Sequence, residues 1–219
     1  MKLVKCGKIV VASLCMMATL AGAAMPALAI SPAGCTSLAQ DEEAQVQALK
    51  AAIAKVNVKY DEVQQSWEFD SPIYDKAEKN KTCCLAPWIF IFDGCKDVYF
   101  DEDFSYNGSS CIDLNTVYAR AGDNLYAYEC DPDYTDYACD TDKKVWWALS
   151  NFEMEPSEIN WLREMLSAKT IITRYSGASG AQYDYTWTAD DRQAVTDMVN
   201  LYDLLVAASP EVRARALRG

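Results

Sequence analysis

The chain has 219 residues, 32 acidic against 20 basic side chains, and a formal net charge of −12. It contains no histidine, which excludes Ser-His-Asp and Cys-His nucleophilic catalysis and every metal site built on imidazole. The acidic surface repels phosphates, which argues against nucleic acid and anionic lipid as partners.

Residues 1–29 read as a cleaved secretory signal. Lys2, Lys5 and Lys8 make a basic start, Ile9 to Leu20 carries no charge, and Ala27-Leu28-Ala29 is an A-x-A cleavage pattern. The apolar run is too short, and too broken at Gly22 and Pro26, for a membrane span of about 20 residues. Processing near Ala29 leaves residues 30–219, takes the net charge to −15, and sends the protein to the periplasm or the medium. Just beyond, Ala33-Gly34-Cys35 resembles the end of a bacterial lipoprotein signal, which implies an acyl anchor on Cys35. Pro32 departs from that pattern, which carries a large aliphatic residue three positions before the cysteine.

Residues 30–57 form an N-terminal linker and helix. Thr36 or Ser37 caps it, Asp41, Glu42 and Glu43 suit its early turns, and Val46, Leu49, Ile53 and Val56 make a narrow apolar stripe. A globular domain follows over 58–209. Trp67 and Phe69 alternate with polar residues, and Trp88 to Phe92 reads as a strand buried on both faces, ended by Asp93-Gly94. Val98-Tyr99-Phe100 is its hairpin partner, and Leu125–Tyr128 and Val145–Leu149 are further strands. Asn107-Gly108 and Gly122-Asp123-Asn124 are turns. Pro156 opens a helix with Ile159, Leu162, Met165 and Leu166, and Thr170 to Tyr175 is a strand. Tyr183, Tyr185 and Trp187 alternate onto one face, and Thr188 to Asp191 has capping-box spacing before a helix carrying Val195, Met198, Tyr202 and Leu205. Residues 210–219 read as a basic, flexible tail; its charge could attract the acidic body, but nothing in the sequence demands it. The fold class is α+β: an antiparallel, disulfide-stapled sheet flanked by an N-terminal helix and C-terminal helices, with a β-sandwich carrying appended helices as the alternative.

Removing the leader leaves seven cysteines, and export favours their oxidation. Cys83, Cys84, Cys95, Cys111, Cys130 and Cys139 form the stapled segment; Cys35 is the odd one. Cys130 and Cys139 bracket a turn-rich stretch, so a bridge between them is the local expectation. Adjacent Cys83 and Cys84 should take different partners, because a vicinal bridge strains the intervening peptide. No C-x-x-C pair, zinc-knuckle spacing or glycine-rich phosphate loop is present.

Three chemistries remain. Clustered aspartates at Asp131, Asp133 and Asp136, with Asp140 and Asp142 nearby, supply the oxygen ligands a calcium ion needs, although the EF-hand pattern fails at Pro132. A glycosidase-like hydrolase needs only two carboxylates; Glu153 and Glu155 precede a helix whose dipole favours their ionised form, which suits a surface helix start better than a proton donor. Aromatics are dense, with 13 tyrosines, and most fill the core; Tyr134 and Tyr137 on the acidic loop are the exposed pair that could grip a ligand. The leading expectation is therefore an exported, non-catalytic binding domain for an extracytoplasmic protein or glycan, calcium-stabilised at that loop. A carboxylate-based hydrolase and a structural envelope protein tethered through Cys35 are the alternatives.

Overall fold

The structure is a computed structural model and describes residues 32–80, 82–92, 97–140 and 145–218. The expected leader, Cys95 and Asp142 lie outside the described residues, as do the side chains of Cys35 and Asp140. The chain runs α1 (Pro32–Ile53), β1 (Asn57–Asp61), β2 (Ser66–Asp70), α2 (Ile73–Asn80), β3 (Cys84–Phe92), β4 (Tyr99–Asn107), β5 (Leu114–Ala121) and β6 (Asn124–Glu129). A 3-10 turn (Pro132–Tyr134) leads into β7 (Thr135–Asp140) and β8 (Val145–Glu153). Then come α3 (Pro156–Ser167), β9 (Ile171–Gly177), β10 (Gln182–Thr186), α4 (Ala189–Ala207) and α5 (Pro210–Arg218).

The fold is α+β, with two antiparallel sheets in place of one. The larger has the order β1-β2-β3-β4-β8-β7 and the smaller β10-β9-β5-β6. Each sheet turns an alternating apolar row inward, as a period of two requires. Leu85, Ile89, Phe100, Phe104 and Phe152 come from the larger; Val117, Ala119, Tyr128, Ile171 and Tyr175 come from the smaller. Aromatic rings close the gap between the sheets: Phe104 and Tyr128 centroids lie 4.7 Å apart, Tyr128 and Phe152 5.8 Å, and Tyr106 and Tyr175 5.7 Å. α4 lies on β3 beside the smaller sheet and buries Val195, Met198 and Leu205, with Tyr202 edge-on to Phe100 at 5.3 Å.

Local chemistry sets the element ends. Gly122, at φ 60°, makes the tight β5–β6 turn with Asp123, a conformation other residues resist. The capping box at α4 forms: Asp191 N–H donates to Thr188 Oγ1 at 3.2 Å and Thr188 N–H to Asp191 Oδ2 at 2.6 Å. Asp191 replaces the usual Glu because its buried carboxylate also accepts the Tyr185 hydroxyl at 2.7 Å.

Several expectations need correction. The residues of the expected flexible tail form α5, started by Pro210, and bury Val212, Arg213 and Ala216 against the body. Arg213 donates through Nε to the Leu205 carbonyl at 2.6 Å, and Arg215 pairs with Glu42 and Glu43 of α1. β3 is not buried on both faces: Ile89 and Ile91 face the core, Trp88 and Phe90 are half-buried, and Phe92 is exposed. α2 covers the second face only near Cys84 and Ala86.

The disulfide pairing also differs. Cys139 bonds Cys111, not Cys130, with Cα atoms 5.2 Å apart. The stretch after the 3-10 turn is a strand, so it carries Cys139 away from Cys130 at roughly 3.3 Å per residue. Cys130 remains a half-buried thiol beside Ser150, and Cys83 and Cys84 are buried thiols. Cys83 Sγ donates to the Asn107 carbonyl at 3.5 Å. No helix among the described residues is long and apolar enough to cross a membrane.

Candidate functional site

β8 is longer than its outer neighbour. β7 pairs with Val145 to Ser150 only, so Asn151, Phe152 and Glu153 have a strand partner, β4, on one side alone. The 3-10 turn stands at the end of β7, and the N-terminus of α3 follows two residues after β8. Between them lies an open groove of about 540 Å³.

Each wall follows from local structure. Asp131 caps the 3-10 turn by accepting the Asp133 N–H at 2.9 Å, and its carbonyl accepts the Thr135 hydroxyl at 2.7 Å. That holds Asp131 and the exposed Tyr134 on the groove. At the opposite wall Glu155 is the N-cap of α3, and its N–H donates to Glu158 Oε2 at 2.9 Å. The floor is β8 with β4: Asp101 pairs across the ladder with Glu153, and Asp103 with Asn151, whose Nδ2 donates to Asp103 Oδ1 at 2.9 Å.

Five carboxylates, from Asp101, Asp131, Glu153, Glu155 and Glu158, therefore share one groove. Among the described residues no lysine or arginine pairs with any of them; the ion pairs lie elsewhere, as at Lys55–Asp197 and Arg174–Asp184. Asp101 is half-buried at the floor of the groove. Burial, and then repulsion from Glu153 and Asp103, pushes its carboxyl up to about 6. Beneath the groove Glu102 occupies the inner face of β4, opposite Phe152 on β8. It is fully buried, neither oxygen has a hydrogen-bond partner among the described residues, and burial raises its pKa well above the usual carboxylate range, with Glu158 and Asp103 adding to the effect.

The expected ligand-binding pair is divided. Tyr134 lines the groove, while Tyr137 is exposed on β7 outside it. The expected calcium loop is not assembled either. Only Asp131 of the trio reaches the groove, and among the described residues no three acidic or cysteine side chains are grouped to hold a metal ion. The reason is extension: Asp133 lies in the 3-10 turn and Asp136 in a strand, which spreads the carboxylates instead of wrapping them around a centre. Glu153 and Glu155 both line the groove. Asn151 and Glu158 escaped sequence reasoning because their approach depends on the β4–β8 register and on the start of α3.

No protein-family model matches the chain, and no match is found among curated proteins or solved structures. The groove must be read from its own chemistry.

Proposed function

We propose that the protein is an exported, non-catalytic binding domain whose working surface is this groove, and that it selects a positively charged ligand, a lysine- or arginine-rich segment of an extracytoplasmic protein. One observation carries the reading: five carboxylates share the groove and none has a cationic partner among the described residues. Burial first, and then repulsion from Glu153 and Asp103, lifts Asp101; a cation entering the groove offsets that repulsion and gains charge-assisted hydrogen bonds. Tyr134 adds a rigid aromatic contact at the rim. The leader-like sequence of residues 1–29 and the Cys111–Cys139 bridge support an oxidising compartment.

The test is calorimetric titration of the full-length mature protein with a blocked tetra-lysine peptide at low and high salt. Saturable binding is expected, weakened by salt and weakened at least tenfold in the triple variant Asp101→Asn, Glu153→Gln, Glu155→Gln. Absence of binding, or a triple variant that binds equally well, removes the proposal. A hydrolase is the second reading, favoured by Asp101, which burial and Glu153 hold near 6, where a general acid operates. Release of reducing ends from a polysaccharide, lost in Asp101→Asn, would displace the binding role.

A further inference from the structure

The outward face of the smaller sheet carries a pocket of opposite character. It has a volume of about 410 Å³ and draws on all four strands. The ladder places its side chains as a checkerboard. Tyr118 sits directly across from Arg174, Arg174 from Asp184, and Arg120 from Ile172 and Leu125. Arg174 is committed: Nε and an Nη donate to the two Asp184 oxygens at 2.6 and 2.7 Å. Arg120 is not. The chain has seven arginines, and Arg120 is the one that, among the described residues, has no hydrogen-bond or ion-pair partner. In a protein with 32 acidic side chains, a guanidinium left over on a concave face is notable.

We propose that this pocket binds an acidic sugar, a hexuronate unit of an extracellular polysaccharide, with Arg120 holding the carboxylate. The pocket has room for a small ligand. With Asp184 neutralising Arg174, the pocket carries one net positive charge, which matches a single carboxylate. A phosphate or sulfate dianion would bring a second charge that the pocket does not neutralise, and among the described residues no helix N-terminus or glycine loop lines it to cradle such an ion. Asp184 instead accepts sugar hydroxyls, and Gln182 donates or accepts beside it. The ring of Tyr118, with Ile172, offers an apolar floor to the C–H face of a pyranose. Arg120 recognises the carboxylate through two parallel N–H bonds, a geometry lysine cannot reproduce.

The experiment is calorimetric titration of the mature protein with trigalacturonate, and with maltotriose and a triaspartate peptide as comparisons. Trigalacturonate is expected to bind saturably and maltotriose at least tenfold more weakly. Arg120→Gln should lose at least tenfold of the trigalacturonate affinity, and Arg120→Lys should fall between. Both variants should keep the wild-type melting temperature, because Arg120 holds no partner among the described residues. The groove triple variant should bind trigalacturonate as the wild type does. The proposal is overturned if trigalacturonate does not bind, if triaspartate binds as tightly, if Arg120→Gln binds unchanged, or if Arg120→Gln unfolds and so reveals a structural partner.

Discussion

Glu102→Met is expected to make the protein more stable. Glu102 sits on the inner face of β4 between Phe100 and Phe104, fully buried, with both carboxyl oxygens lacking a hydrogen-bond partner among the described residues. A neutral polar group buried in that way costs about 1–3 kcal/mol. Methionine has a similar length and fills the same space without a polar atom, so most of that cost should be recovered. At about 2–4 °C per kcal/mol for a domain of this size, a gain of about 2 kcal/mol raises the melting temperature by roughly 4–8 °C. The effect should also grow with pH. The folded-state pKa of Glu102 is raised above its unfolded value, so the native state keeps a proton that the unfolded chain has released. Wild-type stability therefore falls as pH rises from about 4.5 toward the folded pKa, and the methionine variant lacks that slope. Urea unfolding followed by tryptophan fluorescence at pH 5, 6, 7 and 8 measures both quantities. A variant less stable than the wild type, or two curves that stay parallel across pH, would refute the claim that this carboxyl is buried without a partner.

Asp101 makes the groove pH-sensitive. Its raised pKa, about 6, leaves it neutral below that value, so tetra-lysine affinity should climb between pH 5 and 7, and Asp101→Asn should flatten the climb in the same titration. Replacing the Cys111–Cys139 bridge by two serines releases a loop spanning 28 positions and should cost about 3–4 kcal/mol in chemical unfolding. Burial pushes the Cys83 thiol up to about 12 and Cys130 to about 11. With Cys84 buried as well, all three should stay unlabelled by iodoacetamide at pH 8 in the native protein and react once it is unfolded, as peptide mass mapping reads.

Much of the fold was legible because local rules and global packing agree. The alternation at Trp67 and Phe69, the capping spacing at Thr188 and the proline before α3 each mark their element directly. β5 was not anticipated, since Asn115, Thr116 and Arg120 dilute its inward Val117, Ala119 and Ala121 with outward polar residues and give no strong apolar run. β7 was hidden by its own composition: Asp136, Cys139 and Asp140 read as a loop, yet the ladder with β8 holds them extended. That one misreading misplaced the disulfide and gathered an aspartate cluster that the strand pulls apart. α5 was missed because its arginines look solvated, whereas Arg213 is buried by its bond to the Leu205 carbonyl. Tyr134 and Asp131, singled out from loop composition and charge alone, both line the groove. Their partners across the groove come from a strand end and a helix start seventeen or more positions away, a proximity that the β4–β8 register and the end of β8 create.

Chemical-shift mapping of tetra-lysine on the isotope-labelled protein is the most direct measurement of where a cation docks. The acidic groove predicts shifts confined to the amides of Asp101, Asp131, Tyr134, Asn151 to Glu155 and Glu158, saturating together with one dissociation constant. Shifts scattered over the many other acidic side chains, or centred away from the end of β8, would contradict it.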